Sequence, residues 1–146
     1  MMHAVLEQEG DLRPQHLFDT FEGMPETDPD LDTHKEGHFT ETSFAHVKSV
    51  LPFNNVNFHK GFIPDTFEGM EDHKIAFLHL DVDIYKSTLD CLEFIWERMG
   101  SGGIIVTDDY GFHQTQGGQK AFQEYFDKQN VQVIYIQTAQ AFVIKT

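Results

Sequence analysis

The sequence predicts an α/β fold, a doubly wound and mostly parallel sheet with an antiparallel C-terminal hairpin, built as one domain over residues 1–146. Three observations carry this expectation. Short apolar runs alternate with segments of helical spacing along the chain. Two of those runs end in acids: Ile75–Leu80 leads into Asp81-Val82-Asp83, and Gly103–Thr107 leads into Asp108-Asp109-Tyr110. One helix-like segment separates them, as in consecutive parallel strands joined by a right-handed crossover. The tail, Val131–Ile136 and Ala141–Lys145 around Thr138-Ala139-Gln140, reads as a hairpin.

Each element has its own signal. Met1–Glu9 is helical, with Met2, Val5 and Leu6 on one side and a stop at Gly10. His16-Leu17-Phe18 is a short strand that ends at Asp19. A polar stretch through Pro25, Pro29 and Gly37 forms a loop. Thr40–Leu51 has Phe44, Val47 and Leu51 at helical spacing, and Val56–Lys60 alternates as a strand does. Ile75–Leu80 is apolar except at His79, the pattern of a strand buried on both faces. The next helix opens at Ser87-Thr88-Leu89-Asp90, turns Leu89, Leu92, Trp96 and Met99 inward, and stops at Gly100–Gly103. After Gly117-Gly118 a further helix carries Ala121, Phe122, Tyr125 and Phe126. The hexapeptide Asp19–Met24 recurs as Asp65–Met70, each copy after a strand, but the flanks differ and no structural repeat follows.

Composition narrows the partners. Ten Lys+Arg against 24 Asp+Glu give a net charge of −14, which argues against nucleic acid or an anionic membrane as the main partner. Cys91 is the single cysteine, on the apolar side of a helix, where a buried structural thiol outweighs a nucleophile. No run is long and apolar enough to span a membrane, and Met1–Leu6 lacks the features of a signal peptide. A soluble, cytoplasmic protein is the resulting expectation.

The chemistry concentrates at the acidic strand ends. Open α/β sheets bind ligands at the carboxyl edge of their strands, which is where Asp81 and the pair Asp108, Asp109 fall. Converging carboxylates repel one another unless a cation lies among them, and an all-oxygen set suits a hard divalent metal such as magnesium. No Cys/His spacing suggests structural zinc. A single Asp after a strand more often caps a helix or braces a turn; two neighbouring ends with four acids favour a metal site. Asp83 is the weakest of the four, because with Tyr85 it can organise the turn into the helix. His79 reads as packed within its strand. His113 is the one histidine placed for substrate contact, against the simpler reading of a solvated loop residue.

The segments Phe77–Thr88 and Ser101–Tyr110 resemble the macrocin O-methyltransferase family, Rossmann-like class I enzymes that use S-adenosylmethionine and magnesium (Mg2+) on sugar hydroxyls. Leu17–Pro25, His59–Thr66 and Gly117–Ala121 are similar to further family segments in the same order. The resemblance implies Asp81, Asp108 and Asp109 as metal ligands and Asp81 as general base. It implies Asp19 on the cofactor ribose, with Gly61 and Phe62 bordering the adenine, and Glu22 near the metal. The acceptor would be a small molecule, with a sugar-type hydroxyl as the methylated group.

The same resemblance carries a departure. The family's first strand and Gly-rich turn, which hold the methionine end of the cofactor, have no counterpart before Asp19, so the chain reads as truncated at its N-terminus. The absent strand would separate the Phe18 and Phe77 strands and leave two inner edges open. Direct pairing of the flanking strands, or a strand from a second copy in a homo-oligomer, would close the gap. Three functions compete at this stage. They are an O-methyltransferase or its truncated, inactive core, a non-catalytic assembly module that retains the fold, and an Asp-x-Asp glycosyltransferase built on Asp81 and Asp83.

Overall fold

Alternation of strands and helices organises the chain as the sequence patterns require. The computed structural model describes residues 2–11 and 13–146, so Met1, read as part of the first helix, lies outside the described residues. In chain order the elements are α1 (Met2–Gln8), β1 (Gln15–Asp19), α2 (Phe44–Val50), β2 (Val56–Lys60) and β3 (Ile75–Leu80). They continue with α3 (Tyr85–Arg98), β4 (Met99–Thr107), α4 (Gln116–Lys128), β5 (Ile134–Tyr135) and β6 (Ala141–Ile144). β3 and β4 are parallel neighbours, with Leu80 opposite Thr107, so the two acidic ends lie side by side as expected. β6 and β5 extend this sheet antiparallel in the order β3-β4-β6-β5, which is the C-terminal hairpin.

The sheet is not continuous among the described residues. β1 and β2 form a separate parallel pair, with Asp19 opposite Lys60, and β1 does not ladder onto β3. Each of these two strands therefore keeps one unpaired edge, the arrangement that proteins usually cover. Aromatic packing joins the units instead. Phe18 meets Phe67 edge-on at 5.2 Å, and Phe67 stacks on Phe94 of α3 at 4.4 Å.

The core lies between α3, α4 and the four-stranded sheet. Leu92, Ile105, Phe122, Phe126 and Val143 are fully buried there, and Cys91 is buried with its thiol pushed up to about 12 by loss of water. Two expectations need correction. β3 is not buried on both faces: Phe77 is 45% exposed and His79 faces solvent, because burial of a strand depends on neighbours that its own sequence does not encode. α3 starts at Tyr85 rather than Ser87, because its first amide receives its acceptor from a distant loop. The repeated hexapeptides have parallel roles after β1 and β2, each burying its phenylalanine, Phe21 and Phe67. No helix among the described residues is long and apolar enough to cross a membrane.

A histidine cluster lies at the junction of the two units. His16 Nδ1 and His59 Nε2 are 2.8 Å apart, the His73 ring is edge-on to His16 at 5.2 Å, and the buried His16 Nε2 has no partner. Burial first, and neighbouring imidazoles second, lower the pKa of His16 and His59 below 6.5. The unfolded chain then binds more protons than the native state as pH falls through 6.5, so these groups make stability fall with acidification. His16→Gln keeps a hydrogen-bonding group toward His59. It should lose less stability than the wild type between about pH 7.5 and about pH 5.5, measured by urea unfolding. Identical losses would remove His16 from the account.

Candidate active site

The site is assembled at the carboxyl ends of β3 and β4. Asp109 follows β4 and is only 2% exposed. Its Oδ2 accepts the backbone N–H groups of Val82 at 2.9 Å and Asp83 at 2.8 Å, which fixes the loop after β3 against the end of β4. The Asp109 N–H in turn donates to the Thr107 hydroxyl at 3.1 Å. Asp83 takes a left-handed backbone, φ 62°, within this clamped turn, and its carbonyl accepts the Gly118 N–H at 3.2 Å. A Cβ at Gly118 would lie 3.1 Å from both the Asp109 Cβ and the Asp83 carbonyl oxygen, so glycine is what allows α4 to begin here.

The clamp gathers three carboxylates. One oxygen each from Asp81, Asp83 and Asp109 lies within 4.8 Å of the others. Asp109 is held well above the usual carboxylate range by burial, with the charges of Asp83 and Asp81 adding to it against the two amide hydrogen bonds. Asp81 is also raised, first by desolvation and then by Asp83 and Asp108. The cluster therefore stores repulsion that a cation would relieve. Its all-oxygen donors fit a hard divalent ion of the magnesium type.

Asp108 is turned aside from this group. Its Oδ2 is 3.0 Å from His79 Nε2, and its Oδ1 accepts Gln140 Nε2–H at 2.5 Å. Asp83, the acid with the weakest sequence signal, occupies the third position of the cluster. His113 lies in an open cleft of about 530 Å³ that also involves Tyr110, Phe112, Gln116, Gln119 and Tyr135. His113 Nδ1 and Gln116 Nε2 are 2.7 Å apart on that wall.

The remaining sequence candidates sit at the carboxyl ends of β1 and β2. Asp19 is exposed; one carboxylate oxygen accepts the Phe21 N–H at 2.5 Å, and its carbonyl accepts the Gly61 N–H at 3.0 Å. Phe62, next to Gly61, is 54% exposed. One acidic side chain, one glycine backbone and one exposed aromatic ring are thus brought together at this edge. Glu22 forms an ion pair with Lys60 rather than joining the cluster. Sequence reasoning missed Asp32, whose carboxylate accepts the Tyr85 N–H at 2.8 Å across 53 residues. Only its place within an acidic loop was visible.

A model of the macrocin-O-methyltransferase family matches residues 1–143. Among related sequences, a Streptomyces olivaceus enzyme named 8-demethyl-8-(2,3-dimethoxy-alpha-L-rhamnosyl)-tetracenomycin-C 4'-O-methyltransferase is 33% identical over 122 residues, covering 75% of this chain and 47% of that protein. The mycinamicin III 3''-O-methyltransferase of Micromonospora griseorubida is 29% identical over 129 residues, covering 79% of this chain and 50% of its own. The chain thus spans about half the length of these relatives. In fold it is similar to the O-methyltransferase NovP (TM-score 0.85, 24% identity, 99% of this chain and 65% of that one). It is also similar to the calicheamicin methyltransferase CalS11 (TM-score 0.76, 21% identity, 90% and 60%).

The clamp and the charge cluster make opposite demands on Asp109, and substitution separates them. Asp109→Ala leaves two amides without an acceptor and should lower stability by roughly 2–4 kcal/mol. Asp109→Asn keeps an acceptor oxygen while removing a crowded charge, so its unfolding midpoint in urea should equal or exceed that of the wild type. Equal destabilisation by both would contradict the clamp.

Proposed function

The chain belongs to the macrocin-O-methyltransferase family, and we propose that it forms the metal and acceptor side of an S-adenosylmethionine-dependent O-methyltransferase acting on a sugar-type hydroxyl of a small molecule. The convergence of Asp81, Asp83 and Asp109 at the carboxyl ends of β3 and β4 is the observation that carries this reading. Asp81 and Asp109 are common to the geometric cluster and to the ligand set that family resemblance implies. Asp83 is the third ligand, and Asp108 braces His79 and Gln140 beside them.

Magnesium at such a site would supply Lewis-acid polarisation of the acceptor hydroxyl, and S-adenosylmethionine would supply an electrophilic methyl group. The chain's residues account for the rest. Asp81, the solvent-facing member of the cluster, would take the hydroxyl proton on a carboxylate oxygen and leave the acceptor oxygen free to receive the methyl group. Asp19 would hold the ribose hydroxyls of the cofactor through the oxygen not committed to Phe21, and Gly61 and Phe62 would border the adenine. The aromatic and amide walls of the cleft hold the acceptor in line, so that much of the acceleration comes from positioning. The unpaired edges of β1 and β3 support a homo-oligomer in which a strand from a second copy covers them.

Calorimetry tests the reading. S-adenosylmethionine should bind with or without magnesium, and Asp19→Ala should weaken it by about tenfold or more, as for a lost charge-assisted hydrogen bond. Asp81→Asn, Asp83→Asn and Asp109→Asn should each weaken magnesium binding while Asp108→Asn does so far less, and Asp30→Asn should have no effect. Failure to bind the cofactor at millimolar concentration would sink the catalytic reading. A monomer in light scattering at high protein concentration would sink the oligomer.

A further inference from the structure

Residues 24–38 form a strap closed at its base. The Met24 N–H donates to the His38 carbonyl at 2.7 Å, and the Gly37 N–H to the Met24 carbonyl at 3.0 Å. The far end is fixed by one side chain. Asp32 Oδ2 accepts the Asp28 N–H at 3.0 Å, and Asp32 Oδ1 accepts the N–H of Tyr85, the first residue of α3. Ile84, which caps α3, has no side chain able to accept that amide, so a residue distant in sequence satisfies it and sets a negative charge at the positive end of the helix. The fit extends to α4. A Cβ at Gly117 would collide with the Asp32 carboxylate and lie 3.0 Å from the Tyr85 nitrogen. Strap, α3 and α4 therefore meet where only glycine leaves room for the carboxylate.

This contact determines what the strap presents to the acidic cluster. Two residues beyond Asp32, His34 is largely buried, with the Phe39 ring edge-on at 5.0 Å and its Nε2 3.9 Å from Asp83 Oδ1. That separation is too long for a hydrogen bond. The strap is the wall of the cluster on the Asp83 side.

We propose that Asp32 is a positioning residue that latches this strap and holds His34 beside Asp83, so that strap docking and divalent-cation binding at Asp81, Asp83 and Asp109 stabilise each other. The coupling rests on the metal reading above; the latch does not. Coupling of this kind is reciprocal: losing the latch weakens the cation, and binding the cation tightens the strap.

Lys35 provides a direct probe, because it is the only trypsin site between Arg13 and Lys48. Without metal, Asp32→Ala and Gly117→Ala should each speed cleavage at Lys35 by about tenfold, the scale of a lost charge-assisted hydrogen bond, while Asp30→Ala should not. Asp32→Asn, which keeps an acceptor oxygen, should restore part of the protection. Manganese, used as the spectroscopic probe ion, should slow cleavage of the wild type but not of Asp32→Ala, and should bind Asp32→Ala and His34→Ala more weakly in electron paramagnetic resonance titrations. Equal cleavage of wild type and Asp32→Ala would overturn the latch. Equal manganese affinity in wild type and Asp32→Ala, with cleavage accelerated, would overturn the coupling and leave the latch. Absence of manganese binding to the wild type would overturn the metal reading and the coupling with it, and the cleavage comparison would still decide the latch.

Discussion

Everything at the carboxyl edge of the four-stranded sheet depends on the carboxylate of Asp109. It is buried, and it serves as acceptor to two backbone amides, those of Val82 and Asp83. Amides and acid follow consecutive parallel strands, so this group ties the β3 exit to the β4 exit and shapes the turn that precedes α3. It also forces Asp81 and Asp83 into its company. A buried anion with two amide donors is tolerable; beside two further carboxylates it is crowded, and a proton or a bound cation relieves it. The clamp and the crowding of charge that a bound cation would relieve therefore arise from one residue.

The elements around the clamp divide the work. α4 can begin against the clamped turn because Gly118 offers no Cβ, and Gly117 leaves space for Asp32 in the same way. The strap approaches the cluster on the Asp83 side through His34, and Tyr110, which lines the cleft with Phe112 and Tyr135, follows Asp109 in the chain. Asp19, Gly61 and Phe62, proposed for the cofactor's nucleoside, lie on the other sheet, which aromatic stacking and the histidine junction attach to the core. The two halves of the proposed site thus stand on units held together by side chains rather than by a shared strand ladder.

Much of this was legible in the sequence because the signals were local. Apolar runs located β2 and β3, helical spacing located α3 and α4, and acids at two strand ends located the site. What escaped was nonlocal. Which of Asp83 and Asp108 faces the cluster depends on His79 and Gln140, which draw Asp108 away, and on the left-handed turn at Asp83. The start of α3 depends on Asp32, far back in an acidic stretch that looked merely solvated. The exposure of β3 depends on which strands find partners, and the strand's apolar composition is silent on that, whereas the open edges of β1 and β3 are what the family resemblance implied.

The central claim is that three converging carboxylates form a divalent-cation site. Anomalous diffraction from crystals soaked in manganese locates the ion without reference to activity. The account predicts one peak at inner-shell distance, about 2.0–2.6 Å for hard divalent ions, from oxygens of Asp81, Asp83 and Asp109. No peak there at saturating metal, or a peak bound by Asp108 and His79 instead, would contradict it.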